Sequence, residues 1–162
     1  MKFKNVKEIR KYVKEFENEI SWSWFSQHRK LSEKFIREFQ DKVDWGLISI
    51  YQKLSEKFIR EFQDKINWYF LIRNRELSEK FIRNFKDKVD WNLISCFQEL
   101  SEKFIREFQD KVNWGFVSKH QKLSEKFIIE FKDKVCWNCI LEHQKFSENI
   151  KEKIIKEFRG DI

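Results

Sequence analysis

The chain has 162 residues, with 34 Lys or Arg against 27 Asp or Glu for a formal charge of +7, 18 Phe and 7 Trp, yet no Pro and only 3 Gly. Aromatic surface is plentiful and the usual turn residues are almost missing. No run of 18 apolar residues offers a membrane-spanning helix, and glycine only at 46, 115 and 160 rules out the Gly-rich phosphate loops G-x-x-x-x-G-K-[ST] and G-x-G-x-x-G.

In chain order, the opening residues have no apolar core or small cleavage residues of the secretory kind. From Leu31 a 23-residue unit, LSEKFIREFQDKVDWGLISIYQK, recurs in register at Leu54, Leu77, Leu100 and Leu123, giving five full copies over 31–145. Ahead of it, Glu8 to Lys30 reads as a divergent copy of the same unit, with Tyr12, Val13 and Phe16 at its apolar positions and Trp22 at its tryptophan position. Residues 1–7 extend its first helix, with Asn5 as the expected N-cap, so 1–30 reads as a capping repeat. A half copy, 146–162, keeps Ser147 and a first helix and stops near Gly160, a residue suited to a helix C-terminus.

Within each copy the helices are set by caps. Position 2 is always serine (Ser32, Ser55, Ser78, Ser101, Ser124, Ser147), whose hydroxyl can accept an orphan amide hydrogen bond. Position 14 is Ser21, Asp44, Asn67, Asp90 or Asn113, again capping residues, with Cys136 the exception. The first helix is expected over Glu33 to Lys42, burying Phe35, Ile36, Phe39 and Val43 at three- and four-residue spacing. Opposite charges four apart, Glu33 with Arg37, Lys34 with Glu38, Arg37 with Asp41 and Glu38 with Lys42, read as a solvated face rather than a catalytic carboxylate pair. In the second helix Trp45, Leu47, Ile48 and Tyr51 fall in one arc, which leaves Gly46, Ser49 and Ile50 toward the open side. Helices of about 10 residues are marginal alone, so each copy must bury its aromatics against the next. A period of 23 is no multiple of seven, which argues against a coiled coil.

Positions that differ between copies are free of the shared packing task. Position 16 runs Ser23, Gly46, Tyr69, Asn92, Gly115, Asn138, and position 20 runs Gln27, Ile50, Arg73, Cys96, Lys119, Glu142. Four apart on the second helix, they are expected to form an exposed stripe, and Gln27, Tyr69, Arg73, Asn92, Lys119, Asn138 and Glu142 are the candidate partner-binding residues. Position 21 carries the rings His28, Tyr51, Phe97, His120 and His143, with Asn74 the departure. These could form a stacking platform for bases or simply seal the helix edge. The consensus copy is neutral, whereas a phosphate-tracking surface needs recurring cations. At position 22, Gln52, Gln98, Gln121 and Gln144 (Arg29 and Arg75 elsewhere) could bond from copy to copy or be solvated.

Catalytic chemistry is not expected. The serines are explained as caps or helix surface, and the singular residues do not gather into an acid, a base and a nucleophile. Cys136, Cys139 and His143 hint at metal ligation, but a structural zinc site needs four ligands and a fourth is not evident. Cys139 therefore reads as core, and no metal or cofactor is assigned. The three cysteines are expected as free thiols in a reducing compartment, cytosol or nucleus.

The string L-S-E-K-F-I-R-E-F-Q-D-K-V-D-W, nearly intact at Leu31, Leu54, Leu77, Leu100 and Leu123, resembles the short tandem repeat proteins encoded in quantity by large DNA viruses of amoebae. The resemblance covers about residues 8–158. It implies a viral product acting in an infected host cell or carried in a particle, and brings no catalytic residue, cofactor or settled partner. The expectation is an all-α solenoid of short helical hairpins, about thirteen helices over one array from 1 to 162. It is expected to be a monomeric, non-enzymatic scaffold for protein–protein interaction with no membrane contact. A nucleic-acid-binding array or a self-assembling structural element are the alternatives.

Overall fold

A computed structural model describes residues 6–16 and 19–144, apart from the side chains of Val6 and Lys7. Over them the protein is an all-α solenoid of short helical hairpins, twelve helices with no strand. The thirteenth expected helix, the half copy at 146–162 and the Asn5 cap lie outside the described residues. The chain divides into two compact units, Met1–Arg75 and Glu76–Ile162. The first holds α1 (Val6–Glu15), α2 (Trp22–His28), α3 (Glu33–Glu38), α4 (Trp45–Tyr51), α5 (Glu56–Glu61) and α6 (Trp68–Asn74). The second holds α7 (Glu79–Asn84), α8 (Trp91–Phe97), α9 (Glu102–Glu107), α10 (Trp114–His120), α11 (Glu125–Glu130) and α12 (Trp137–His143).

The caps act as their chemistry dictates. Ser32 Oγ accepts the Phe35 N–H at 3.2 Å, and Ser55, Ser78, Ser101 and Ser124 repeat this bond at α5, α7, α9 and α11. Asp44, Asn67, Asp90 and Asn113 do the same for the second helices, and Cys136 fills the role with its sulfur. No described residue has a positive φ, so the turns need no glycine.

The first helix is shorter than its apolar spacing predicts. It ends at Glu38, and Phe39 becomes the C-cap at φ −115°, ψ 31°. Its carbonyl then accepts the Lys42 and Val43 N–H groups at 2.9 and 3.1 Å, a tight second turn that swings Val43 into the core. With the helix closed at Glu38, the expected pairs Arg37 with Asp41 and Glu38 with Lys42 no longer share a helix face. Pairing runs instead between copies 24 residues apart: Arg37 to Glu61, Arg83 to Glu107 and Arg106 to Glu130, each at 2.8 Å. Within the helix Glu33 to Arg37 is a loose 3.9 Å. Asp41 is taken by Lys65 of the next copy at 3.0 Å.

Aromatic packing carries the stack within each unit. Trp45 lies 6.2 and 5.2 Å from the Phe58 and Phe62 rings of the next copy, and its Nε1–H donates to the Gln40 carbonyl. Trp91 with Phe104 and Phe108, and Trp114 with Phe127 and Phe131, repeat the contact in the second unit. The same guanidinium groups that pair with Glu sit over these rings, Arg37 on Phe58 at 4.9 Å and Arg83 on Phe104 at 4.8 Å. Phe35, Phe58, Phe104 and Phe127 are fully buried. The rings thus join each second helix to the first helix of the next copy, α4 to α5, α8 to α9 and α10 to α11, while second helices also pack on one another, α2 against α4 and α4 against α6, and α8 against α10 and α10 against α12.

The inner face of the second helix differs from the arc expected of it. Ser49 is completely buried beside Ile48, while Tyr51 is 50% exposed. Ser49 can be buried because both its bonding capacities are used: Oγ–H donates to the Trp45 carbonyl at 2.6 Å, and Oγ accepts the Asn67 N–H at 3.0 Å. Ser26, Ser95 and Ser118 hold the Asp44, Asn113 and Cys136 amides in the same way.

Candidate partner-binding face

At position 22 copies are joined by side chain to main chain, not by amide to amide. Gln52 is 3% exposed: its Oε1 accepts the Leu31 N–H at 2.8 Å, and its Nε2 donates to the Ser26 and Arg29 carbonyls at 2.8 and 2.7 Å. Gln121 makes the same three bonds to Leu100, Ser95 and Gln98, and Gln144 makes them to Leu123, Ser118 and Gln121. Arg75 replaces one such glutamine and sends its guanidinium to the Gln52 and Ile48 carbonyls. It has donors only, and partial burial lowers its pKa. This inner framework is built without positions 16, 20 and 21.

In the first unit Gln27, His28, Tyr51, Tyr69 and Arg73 are all exposed. Gln27 Nε2 donates to the Tyr51 hydroxyl of the next copy at 3.3 Å, tying position 20 to position 21. His28 stacks on Trp24, centroids 5.0 Å apart and planes at 16°, and is held by a bond between Nδ1 and the Trp24 carbonyl. Trp24, 42% exposed with the Arg29 guanidinium 4.8 Å from its ring, belongs to this surface although its repeat position reads as core elsewhere. Tyr69 and Arg73 form their own pair, Arg73 donating to the Tyr69 hydroxyl at 2.6 Å.

In the second unit Asn92, Phe97, Lys119, His120, Asn138, Glu142 and His143 are exposed. Asn113 Nδ2 donates to Asn92 Oδ1 at 2.7 Å, and His143 Nε2 lies 3.5 Å from Glu142 Oε2. Desolvation, then the Lys119 and His143 charges, holds the His120 pKa below the usual histidine value. Contrary to the expectation of three free thiols, Cys136 and Cys139 are joined by a disulfide and Cys96 alone is free. Among the described residues no three His, Cys, Asp or Glu side chains are gathered to hold a metal ion, and no helix is long and apolar enough to cross a membrane.

No family model, curated protein or solved structure matches this chain.

A feature missed in the sequence is a shallow cleft that recurs at one place in the repeat, between the turns that close successive second helices. In the first unit it lies between 27–30 and 51–53, about 280 Å³ in volume. In the second unit one cleft of about 550 Å³ is lined by Glu76, Phe97 and Glu99, and another of about 350 Å³ by Glu99, His120 and Lys122. The signal available in the sequence was position 23, which runs Lys30, Lys53, Glu76, Glu99, Lys122. Each cleft thus joins a position-21 ring to a pair of charges that changes from copy to copy.

Proposed function

We propose that this protein is a non-enzymatic scaffold whose second-helix face binds a partner protein, with the copy-specific residues setting the choice of partner. One observation carries the reading: of the five large apolar side chains that stay exposed among the described residues, Trp24, Tyr51, Tyr69 and Phe97 lie on second helices and Ile129 on a first helix. First-helix faces are closed by ring packing and by Arg–Glu pairs between copies, whereas second-helix faces leave anchoring rings in water. Interface centres are enriched in Tyr, Trp and Arg, the residues found there. The resemblance of the repeat string to the tandem repeat proteins of amoebal viruses supports an infected host cell, in cytoplasm or nucleus, or a particle as the setting for this activity.

The test replaces Tyr69, Arg73, Asn92 and Lys119 with Ser or Ala. Helicity and melting are expected to hold, since all four side chains are exposed, while capture of the parent's protein partners from host extract is lost. An unchanged set of captured proteins would reject this face. Retention on RNA or DNA that falls steeply with salt would favour the nucleic-acid alternative. Light scattering that grows with concentration would favour self-assembly.

A further inference from the structure

We propose that the cleft between the 27–30 and 51–53 turns of the first unit binds a phosphate monoester carried on a partner protein. The cleft chemistry stands on the charge and placement of its own residues; the protein source of the phosphate rests on the interaction reading above.

Charge is the first observation. The second helices and adjoining turns of the first unit, 21–30, 44–53 and 67–75, carry Arg29, Lys30, Lys53, Arg73 and Arg75 against Asp44, a net +4. The matching segments of the second unit, 90–99, 113–122 and 136–144, carry Lys119 and Lys122 against Asp90, Glu99 and Glu142, a net −1. The framework bonds of Gln52 and Gln121 are the same in both units, so this polarity is not imposed by packing.

Availability is the second. Lys30 and Lys53 line the cleft, are exposed, and have neither an ion pair nor a hydrogen bond among the described residues. Arg37 on a first helix and Lys65 in the turn after one are by contrast already paired with carboxylates. The one carboxylate on these segments, Asp44, accepts the Leu47 N–H at 3.0 Å and the Ser23 hydroxyl at 3.4 Å. The Tyr51 hydroxyl accepts the Gln27 amide, which leaves its own proton to donate to a ligand.

Two ammonium groups and a phenolic donor beside exposed rings set the ligand class. A carboxylate or phosphodiester brings about one negative charge, whereas a phosphate monoester brings about −1.5 to −2 and three strong acceptor oxygens. At about 280 Å³ the open cleft has room for one phosphorylated side chain.

The experiment titrates the full chain with two peptides of one sequence, phosphorylated and not, and with inorganic phosphate and a single-stranded oligonucleotide. Calorimetry and amide chemical shifts are the readouts. Inorganic phosphate is expected to shift the amides of 28–31 and 51–53, and phosphorylation to tighten peptide binding by at least about tenfold. Lys30→Gln with Lys53→Gln removes that difference, and Lys122→Gln in the second unit leaves it intact. A gain under about twofold on phosphorylation, or an equal loss in Lys122→Gln, overturns the site. Oligonucleotide shifts at these amides without phosphopeptide binding overturn the protein source. Loss of partner capture in the Tyr69, Arg73, Asn92 and Lys119 variant, with no phosphate response, rejects this site while the interaction reading stands.

Discussion

Gln121→Ala is the most direct test of how the copies are held together. The side chain is 5% exposed and makes three bonds, accepting from the Leu100 N–H of its own copy at 2.9 Å and donating to the Ser95 and Gln98 carbonyls of the preceding copy at 3.0 and 2.8 Å. Truncation leaves three main-chain groups without a partner where water has little access. At about 1 kcal/mol each, the loss is about 3 kcal/mol, which for a chain of this size lowers the melting temperature by about 6–12 °C. The exposed neighbour Lys122→Ala is the control and should stay within about 0.5 kcal/mol of the parent. Denaturation followed by circular dichroism gives the global effect. Because repeat arrays need not unfold in one step, hydrogen exchange at the Leu100 amide supplies the local one, expected to speed up by at least about tenfold. A melting temperature equal to that of the control, with Leu100 protection unchanged, would show that the glutamine bonds are incidental and that aromatic stacking alone joins the copies.

The electrostatics and the cysteines carry two further outcomes. The Arg83 hydrogen bond, and less strongly its charge, lowers the Glu107 pKa against an opposing effect of burial. A depressed carboxyl contributes stability above its unfolded pKa, about 4.3, and loses it as pH falls through the folded value. Carbon-detected NMR should therefore find Glu107 titrating below the ordinary glutamate range and returning toward it in Arg83→Ala; an unchanged midpoint would break the assigned pairing. A thiol assay of the oxidised protein should find one reactive group, Cys96, and three after reduction. Three before reduction would remove the disulfide between Cys136 and Cys139.

What the sequence disclosed was local in origin. Ser32 and Asp44 could be read as caps because their hydrogen bonds close three residues away, and the repeated Phe and Trp positions gave away the hairpin and its stacking. What escaped reading depended on partners a copy away. Ser49 looks like helix surface until the Asn67 amide, 18 residues on, arrives to make its burial tolerable. Arg37 keeps the contact with Glu33 that its spacing predicts, at 3.9 Å, but its close pairing is with Glu61, 24 residues on, and not with Asp41. Phe39 fits a continuous apolar stripe, yet it closes the helix, because a tight turn is what brings Val43 inward. At the candidate site, the exposed positions were legible from their variation, while the cleft was not: it exists only where the turns at 27–30 and 51–53 face each other.

The glutamine at position 22 has a consequence for how such a chain can change length. Gln52 reaches back to atoms at fixed offsets, main-chain groups 21, 23 and 26 residues before it, and Gln121 uses the same three intervals. Losing or gaining a few residues inside a copy would put every one of these intervals out of step at once. Losing or gaining a whole copy would leave them all intact, since each copy both reaches back and is reached. The array can therefore grow or shrink by whole copies without losing these bonds, while a smaller step inside a copy breaks them.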